Sequence, residues 1–322
     1  MYTTIMVPTD CSGFDREAIR VALRLAERSQ ATVHLVRASL SAGMFGMMAG
    51  ADGLALSADA VQHEVDTELS ELYALGAECR TNTTATVTTS LEQGPVADAL
   101  AGYAKRHGVD LIIMSTHGRR GFARLSLGSV TDSLIRLTTI PVLVVKPPRS
   151  YLNPQVTGAF KRIVVPLDGS ALAEQILPGI AQLGDLEGSE LTLLYVLKPH
   201  TYYQEQVQDP LVPWWEKDIA AAQAYLLPMA TKLRRRGFTV SSDIVIGEDI
   251  AEKIADFARG EKADLIAIAT HGRGGLSRLV YGSVADALVK SARTSLFVLR
   301  PPGRPARTDA KPLAERKITA FA

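Results

Sequence analysis

Residues 115–129 read STHGRRGFARLSLGS, and residues 269–283 read ATHGRGGLSRLVYGS. The spacing Ser115-x2-Gly118-x9-Gly128-Ser129 thus recurs as Ala269-x2-Gly272-x9-Gly282-Ser283. Glycine lets backbone amides come close to an anion and reach positive φ. A nest of such amides, followed by a helix that opens at Gly-Ser, suits a polyphosphate. Ser129 and Ser283 would cap that helix or bind a phosphate oxygen. Arg119, Arg120 and Arg273 stand in the loop and would neutralise phosphate charge. A flexible loop with an ordinary helix cap would use the same residues. Two copies, each behind an apolar strand, favour the phosphate cradle.

Two aspartates form the second candidate set. Asp10 in IMVPTDCSGFD and Asp168 in IVVPLDGSA each end an apolar run. Aspartate caps helices well, but Ser12 and Ser170 could cap in its place and release the carboxylates for a ligand. His117 and His271 recur with no second His or Cys at ligand spacing, so they read as loop neighbours of a phosphate rather than metal ligands. Cys11 lies beside Asp10 near a helix start, where a thiol pKa can fall, but Gly169 replaces it in the second copy. The motifs for catalysis are missing. There is no Gly-x4-Gly-Lys-Ser/Thr, no Gly-x-Ser-x-Gly and no His-Glu-x2-His. PTDCSG and PLDGSA stand where ATP pyrophosphatases carry Ser-Gly-Gly-x-Asp-Ser. The residues are suited to holding a nucleotide, not to consuming one, and no catalytic residue is assigned.

The elements that must position these residues also recur in order. ATVHLVRAS (31–39) resembles ELTLLYVLK (190–198), and LEQGPVADAL (91–100) resembles VIGEDIAEKI (245–254). VDLIIMSTHG (109–118) resembles ADLIAIATHG (263–272), and IPVLVVKPP (140–148) resembles TSLFVLRPP (294–302). Across the glycine stretch, from Ser115 to Leu134 against Ala269 to Leu288, 12 of 20 pairs are identical. The chain is a tandem repeat of one domain. Within each copy, short β-branched runs alternate with segments apolar at helical spacing, the pattern of a parallel sheet with helices on both faces. The long helices are expected at about 59–75 and 216–236, and the third strands at about 83–91 and 238–246. Ligands of such sheets sit at the carboxyl ends of the strands, where the strand order reverses. That rule points to Asp10, Asp168 and the two glycine stretches.

The bulk composition agrees with a two-domain globular protein. The chain has 322 residues, with 47% hydrophobic and 21% charged residues and a formal net charge of +1. A balance so near zero leaves no electrostatic footprint for nucleic acid. Two cysteines, Cys11 and Cys79, make no disulfide framework. The start MYTTIMVPTDCSGFD lacks a basic, then apolar, signal sequence, and no apolar run is long enough to span a membrane. The expected location is the cytoplasm. Segments 41–60 (Gly/Ala/Met-rich) and 198–215 (aromatic, Pro-containing) fit no repeat, and the Pro-rich, charged tail 303–322 is expected to be disordered.

This layout resembles the universal stress protein family in its tandem form, over about residues 1–148 and 161–302, with 149–160 as linker. Nucleotide-binding members carry Gly-x2-Gly-x9-Gly-Ser/Thr after strand four and an aspartate ending strand one. The resemblance implies two Rossmann-like, flavodoxin-like domains, each a five-stranded parallel sheet of order 3-2-1-4-5. It also implies adenine nucleotide binding, usually ATP with Mg²⁺, the metal carried by the nucleotide. In the first copy Thr9 and Asp10 would lie at the ribose or adenine side and Ala38 at the adenine, with Gly118, Gly128, Ser129 and Val130 at the phosphates. In the second copy Leu167, Asp168, Val196, Gly272, Gly282, Ser283 and Val284 would take the same places. Ser115 and Ala269 stand where the family has its first glycine; both are small enough for close backbone approach.

The implied function is a cytoplasmic stress-response module whose output depends on bound ATP. A slow ATPase or nucleotide-dependent transferase, and a structural partner protein without nucleotide, are the alternatives. In the implied strand order, strand five is an edge, IPVLVVK in one copy and SLFVLR in the other. Apolar edges invite pairing, so the two copies are expected to pair through strand five, and further homodimerisation is open.

Overall fold

The structure is a computed structural model and describes residues 1–39, 58–115, 128–146, 160–199, 214–270, 282–292 and 294–301. The chain divides into two compact units, Met1–Gly158 and Ala159–Ala322. The expected linker, apart from its last residue, and the expected tail lie outside the described residues.

The first unit runs β1 (Thr4–Pro8), α1 (Arg16–Ser29), β2 (Thr32–Ser39), α2 (Ala58–Thr81), β3 (Thr86–Gln93), α3 (Val96–Arg106), β4 (Leu111–Ser115), α4 (Ser129–Leu137) and β5 (Val142–Val145). Its strands lie in the order β3-β2-β1-β4-β5, with every pairing parallel. That is the expected 3-2-1-4-5. β1 and β4 are central and covered on both faces, so Ile5, Met6, Val7 and Leu111 to Met114 are all buried and apolar without alternation. Helix α1 buries Ala18, Ile19, Val21, Ala22, Leu25 and Ala26, a stripe at helical spacing. It stops at Gln30, whose left-handed φ of 58° turns its amide back to the Ala26 carbonyl.

The second unit runs β6 (Arg162–Leu167), a 3₁₀ turn (Ala173–Gln175), α5 (Ile176–Glu187), β7 (Glu190–Leu197), α6 (Trp214–Arg235), β8 (Thr239–Ile246), α7 (Ile250–Gly260), β9 (Leu265–Ala269), α8 (Ser283–Ser291) and β10 (Ser295–Leu299). Read from β8, the strands lie β8-β7-β6-β9-β10, again all parallel and again 3-2-1-4-5. Tyr195 of β7 meets Tyr225 of α6, while its neighbours Leu194 and Val196 share a cavity lining with Ile250 and Ile254 of α7. Successive strand residues face opposite sides, so α6 and α7 cover opposite faces of the sheet.

Two details were not visible as expectations. Asp110 accepts hydrogen bonds from the Thr3 amide (2.7 Å), the Thr3 hydroxyl (2.8 Å) and the Thr4 amide (3.1 Å), which ties the start of β1 to that of β4. Asp264 repeats the clamp on the amides of Lys161 (3.0 Å) and Arg162 (2.9 Å). Helix α2 also runs to Thr81, beyond the expected end near residue 75, and β3 starts correspondingly later. Gly76 does not break this helix. A Cβ there would stand 2.5 Å from Thr89 Cγ2, so the glycine permits close approach of α2 to β3.

Candidate functional site

Strands β1 and β6 end in turns of one form. Asp10 Oδ1 accepts the Ser12 amide at 3.0 Å, and Asp168 Oδ1 accepts the Ser170 amide at 2.9 Å. Each aspartate closes a turn over its own backbone, so neither caps a helix. Such a turn needs a residue at positive φ: Gly169 (85°) in the second unit and Cys11 (58°) in the first. Ser170 Oγ accepts the amide of Ala173, the first residue of the 3₁₀ turn, at 3.1 Å. Ser12 makes no such bond. Its buried Oγ has no hydrogen-bond partner among the described residues, and α1 begins at Asp15 without a side-chain cap.

Beneath these turns the two units differ. In the first, Thr9 donates its hydroxyl to the Asp15 carboxylate and accepts the Cys11 amide at 2.9 Å. The Arg37 side chain, 8% exposed, binds Glu71 at 2.7 Å and Glu68 at 3.1 Å. Burial pushes the Cys11 thiol above its ordinary pKa, partly offset by Thr9 and Arg37. In the second unit, Tyr195 and Tyr225 meet edge to face at 6.0 Å. The Tyr225 hydroxyl is buried and meets hydrogen-bond geometry with no described residue. Burial, then the Glu174 and Asp168 carboxylates, raise its pKa.

At the carboxyl ends of β6, β7 and β9 the second unit has a cavity of about 170 Å³. Seven expected residues share its lining: Leu167 and Asp168 from β6 and its turn, Val196 from β7, Ala269 from β9, and Gly282, Ser283 and Val284 from the start of α8. Ala173, Leu194, Ile250, Ile254, Ile268 and Ala285 were not expected there. Their only signal was the apolar face of helices and strands, which reads equally as core. Among these walls the one ionisable side chain is Asp168. A separate depression of about 210 Å³ lies at the amino-terminal ends of β6, β7 and β8, beside Arg162, Glu190 and Thr239; none of the expected site residues lines it.

In the first unit Thr9 and Asp10 follow β1, Ala38 lies near the end of β2, and Ser115 ends β4. Thr131 donates to the Ser115 carbonyl at 3.4 Å, which brings Ser115 against the first turn of α4 and so to Gly128, Ser129 and Val130. Gly118, Arg119, Arg120, Gly272 and Arg273 lie outside the described residues, as do His117 and His271.

The glycine-serine pairs place differently from the capping expectation. Gly128 and Gly282 are the cap residues, with ψ of 142° and 140°, and Ser129 and Ser283 are the first residues inside the helices. Neither helix has a side-chain cap bond. Helix α7, by contrast, begins at Asp249, whose carboxylate accepts the Glu252 amide at 2.9 Å. First-turn amides without a side-chain acceptor are where an anion is welcome. Among the described residues no cluster of three His, Cys, Asp or Glu side chains could hold a metal ion, and no helix is long and apolar enough to cross a membrane.

The model of the universal stress protein family matches this chain twice, over residues 1–146 and 159–300. A universal stress protein of Methanocaldococcus jannaschii is 28% identical over 149 residues, 46% of this chain and 85% of that protein. One from Mycolicibacterium smegmatis is 23% identical over 302 residues, 92% of this chain and 97% of its own length. The crystal structure of a universal stress protein from Archaeoglobus fulgidus shares the fold, with a TM-score of 0.67 at 17% identity over 92% of this chain and 98% of that one. With both units matched and a relative aligned almost end to end, the chain belongs to the universal stress protein family and carries two copies of its domain in tandem.

Proposed function

We propose that the protein binds an adenine nucleotide, ATP with its Mg²⁺, in each unit, and that nucleotide occupancy sets its output in a cytoplasmic stress response. The observation that carries this reading is the second-unit cavity, where expected residues from four separate segments meet at the carboxyl ends of the strands. Its chemistry fits the parts of such a ligand. Apolar walls at Leu167, Val196 and Ile254 suit a planar base, and the Asp168 carboxylate suits a ribose hydroxyl. The first-turn amides of α8 suit a phosphate. At about 170 Å³ the cavity is smaller than pockets that enclose whole drug-sized ligands, so it suits the base, with the phosphates along the helix start. Bound Mg²⁺ would supply positive charge to the phosphates.

The first unit offers the corresponding turn, strand ends and uncapped helix at Asp10, Ser115 and Gly128. Equilibrium dialysis of the full chain against labelled ATP tests the reading. We expect saturable binding that rises with Mg²⁺ and falls when Gly282 is replaced by tryptophan. No binding by folded wild-type protein contradicts it. We also propose, from the apolar IPVLVVK and SLFVLR edges alone, that the two copies pair through strand five and that the protein can dimerise further. Charged substitutions at Val144 and Val298 should then expand the scattering profile, and an unchanged profile contradicts the pairing.

A further inference from the structure

We infer that the two units take nucleotide unequally, the second unit being the tight site; this rests on the nucleotide reading above. The two units can be matched residue by residue. Asp10 matches Asp168 through the shared turn, which sets Thr9 against Leu167 and Asp15 against Ala173. The ends of β4 and β9 set Ser115 against Ala269, and the starts of α4 and α8 set Thr131 against Ala285. Leu167, Ala173, Ala269 and Ala285 all line the second-unit cavity. Every one of these four positions is polar in the first unit.

Three of those side chains, Thr9, Asp15 and Thr131, are also buried and already hold hydrogen bonds within the first unit. Thr9, Asp15 and Thr131 are 8%, 4% and 2% exposed. Thr9 bonds Asp15, and Thr131 bonds the Ser115 carbonyl. A flat apolar ring laid on such a wall gains little from burial, and displacing a satisfied buried bond costs free energy. Against hydrocarbon walls the same ring gains its full area.

The support beneath the turn does not compensate. Pro8 pairs with Val36 as Pro166 pairs with Leu194, so Arg37 stands in the register of Tyr195. Arg80 bonds the Val87 carbonyl as Arg234 bonds that of Val240, which sets Glu71 against Tyr225. An Arg37–Glu71 ion pair in one unit is thus an aromatic pair in the other. The Arg37 cation is held between two glutamates and offers no net attraction to a phosphate.

Isothermal titration of the full chain with Mg·ATP tests the inference, using variants with wild-type circular dichroism. Wild type should show two classes of site at least about tenfold apart, about 1.4 kcal/mol. Gly282→Trp should remove the tight class and Gly128→Trp the weak one. Leu167→Thr with Ala173→Asp should weaken the tight class by about tenfold, and Thr9→Leu with Asp15→Ala should strengthen the weak one. Two classes of equal affinity, or loss of the tight class on Gly128→Trp, overturns the inference and leaves the nucleotide reading standing. No heat with any variant or with wild type overturns that reading and this inference with it.

Discussion

Asp10 and Asp168 do the same local work in settings that chemistry has made different. Each folds its carboxylate back over its own turn, and the residue after it must accept positive φ. Gly169 does so without penalty, whereas Cys11 does so as a non-glycine residue. If nucleotide binds at this turn as proposed, the Cys11 thiol reports on it. Bound ATP should slow alkylation of Cys11 and leave Cys79, 5% exposed on α2, unaffected. Equal Cys11 rates with and without ATP would place it outside the site. Because burial raises the Cys11 pKa, its thiolate fraction near neutral pH is lower than that of a free cysteine. Alkylation without ATP should therefore keep rising at pH values where a free thiol has levelled off. The fall in thiol pKa that a helix start can cause does not occur at Cys11, since desolvation outweighs the help from Thr9 and Arg37. Arg37 gives a second residue-scale prediction. Arg37→Ala leaves Glu68 and Glu71 facing each other without their cation, and should cost the first unit about 3 kcal/mol or less, since Glu71 is partly exposed. Chemical denaturation of wild type and variant measures it; an unchanged transition would mean that the ion pairs contribute nothing. Asp10, Asp168 and the glycine pairs were legible because they recur. The Arg37–Glu71 and Tyr195–Tyr225 exchange was not, because a repeat comparison records identities and this contact is preserved by changing both partners.

At the scale of elements, the strands follow from features that single sequences display well, whereas their order was implied by the family resemblance. Uninterrupted apolar runs became central strands, and alternation appeared at β3, where Val87 is buried between exposed Thr86 and Thr88. Helix ends were harder. Gly76 could be taken for a stop but serves a close contact with Thr89, which only the packed structure reveals. Gly76→Ala should destabilise the first unit by about 1–3 kcal/mol despite alanine's better helix propensity. A stabilised variant would show that the helix can shift away. The packing of α3 on β2 adds a pH dependence. His34 Nδ1 lies 2.7 Å from Tyr103 Oη, and His107 stacks on Tyr103 at 4.1 Å with its ring 5.9 Å from that of His34. Burial first, and His107 second, lower the His34 pKa. The unfolded chain therefore takes up the proton first as pH falls. Stability present above the unfolded value of about 6.5 should be lost as pH drops through it toward the lower folded value. In urea denaturation between about pH 7 and about pH 5.5, His34→Gln should lose less stability than wild type. Identical losses would mean that His34 does not titrate differently on folding.

For the whole molecule, duplication made the domain plan readable from sequence and also concealed how far the copies had diverged. The recurring glycines, aspartates and strands led to one family and one fold for both units. The walls of the cavity had no such signal, because Ala173, Ile250 and Ile254 look like any core residue until the strand ends bring them together. The central claim is that nucleotide binds at the carboxyl ends of the strands, against those walls. Photolabelling of the full chain with 8-azido-ATP, followed by peptide mapping, tests it most directly. Label should fall on peptides carrying Val196, Ile250 to Ile254 or Ser283, and excess ATP should remove it. Label confined to other surfaces, such as the depression beside Arg162 and Glu190, or label that ATP does not displace, would contradict the claim.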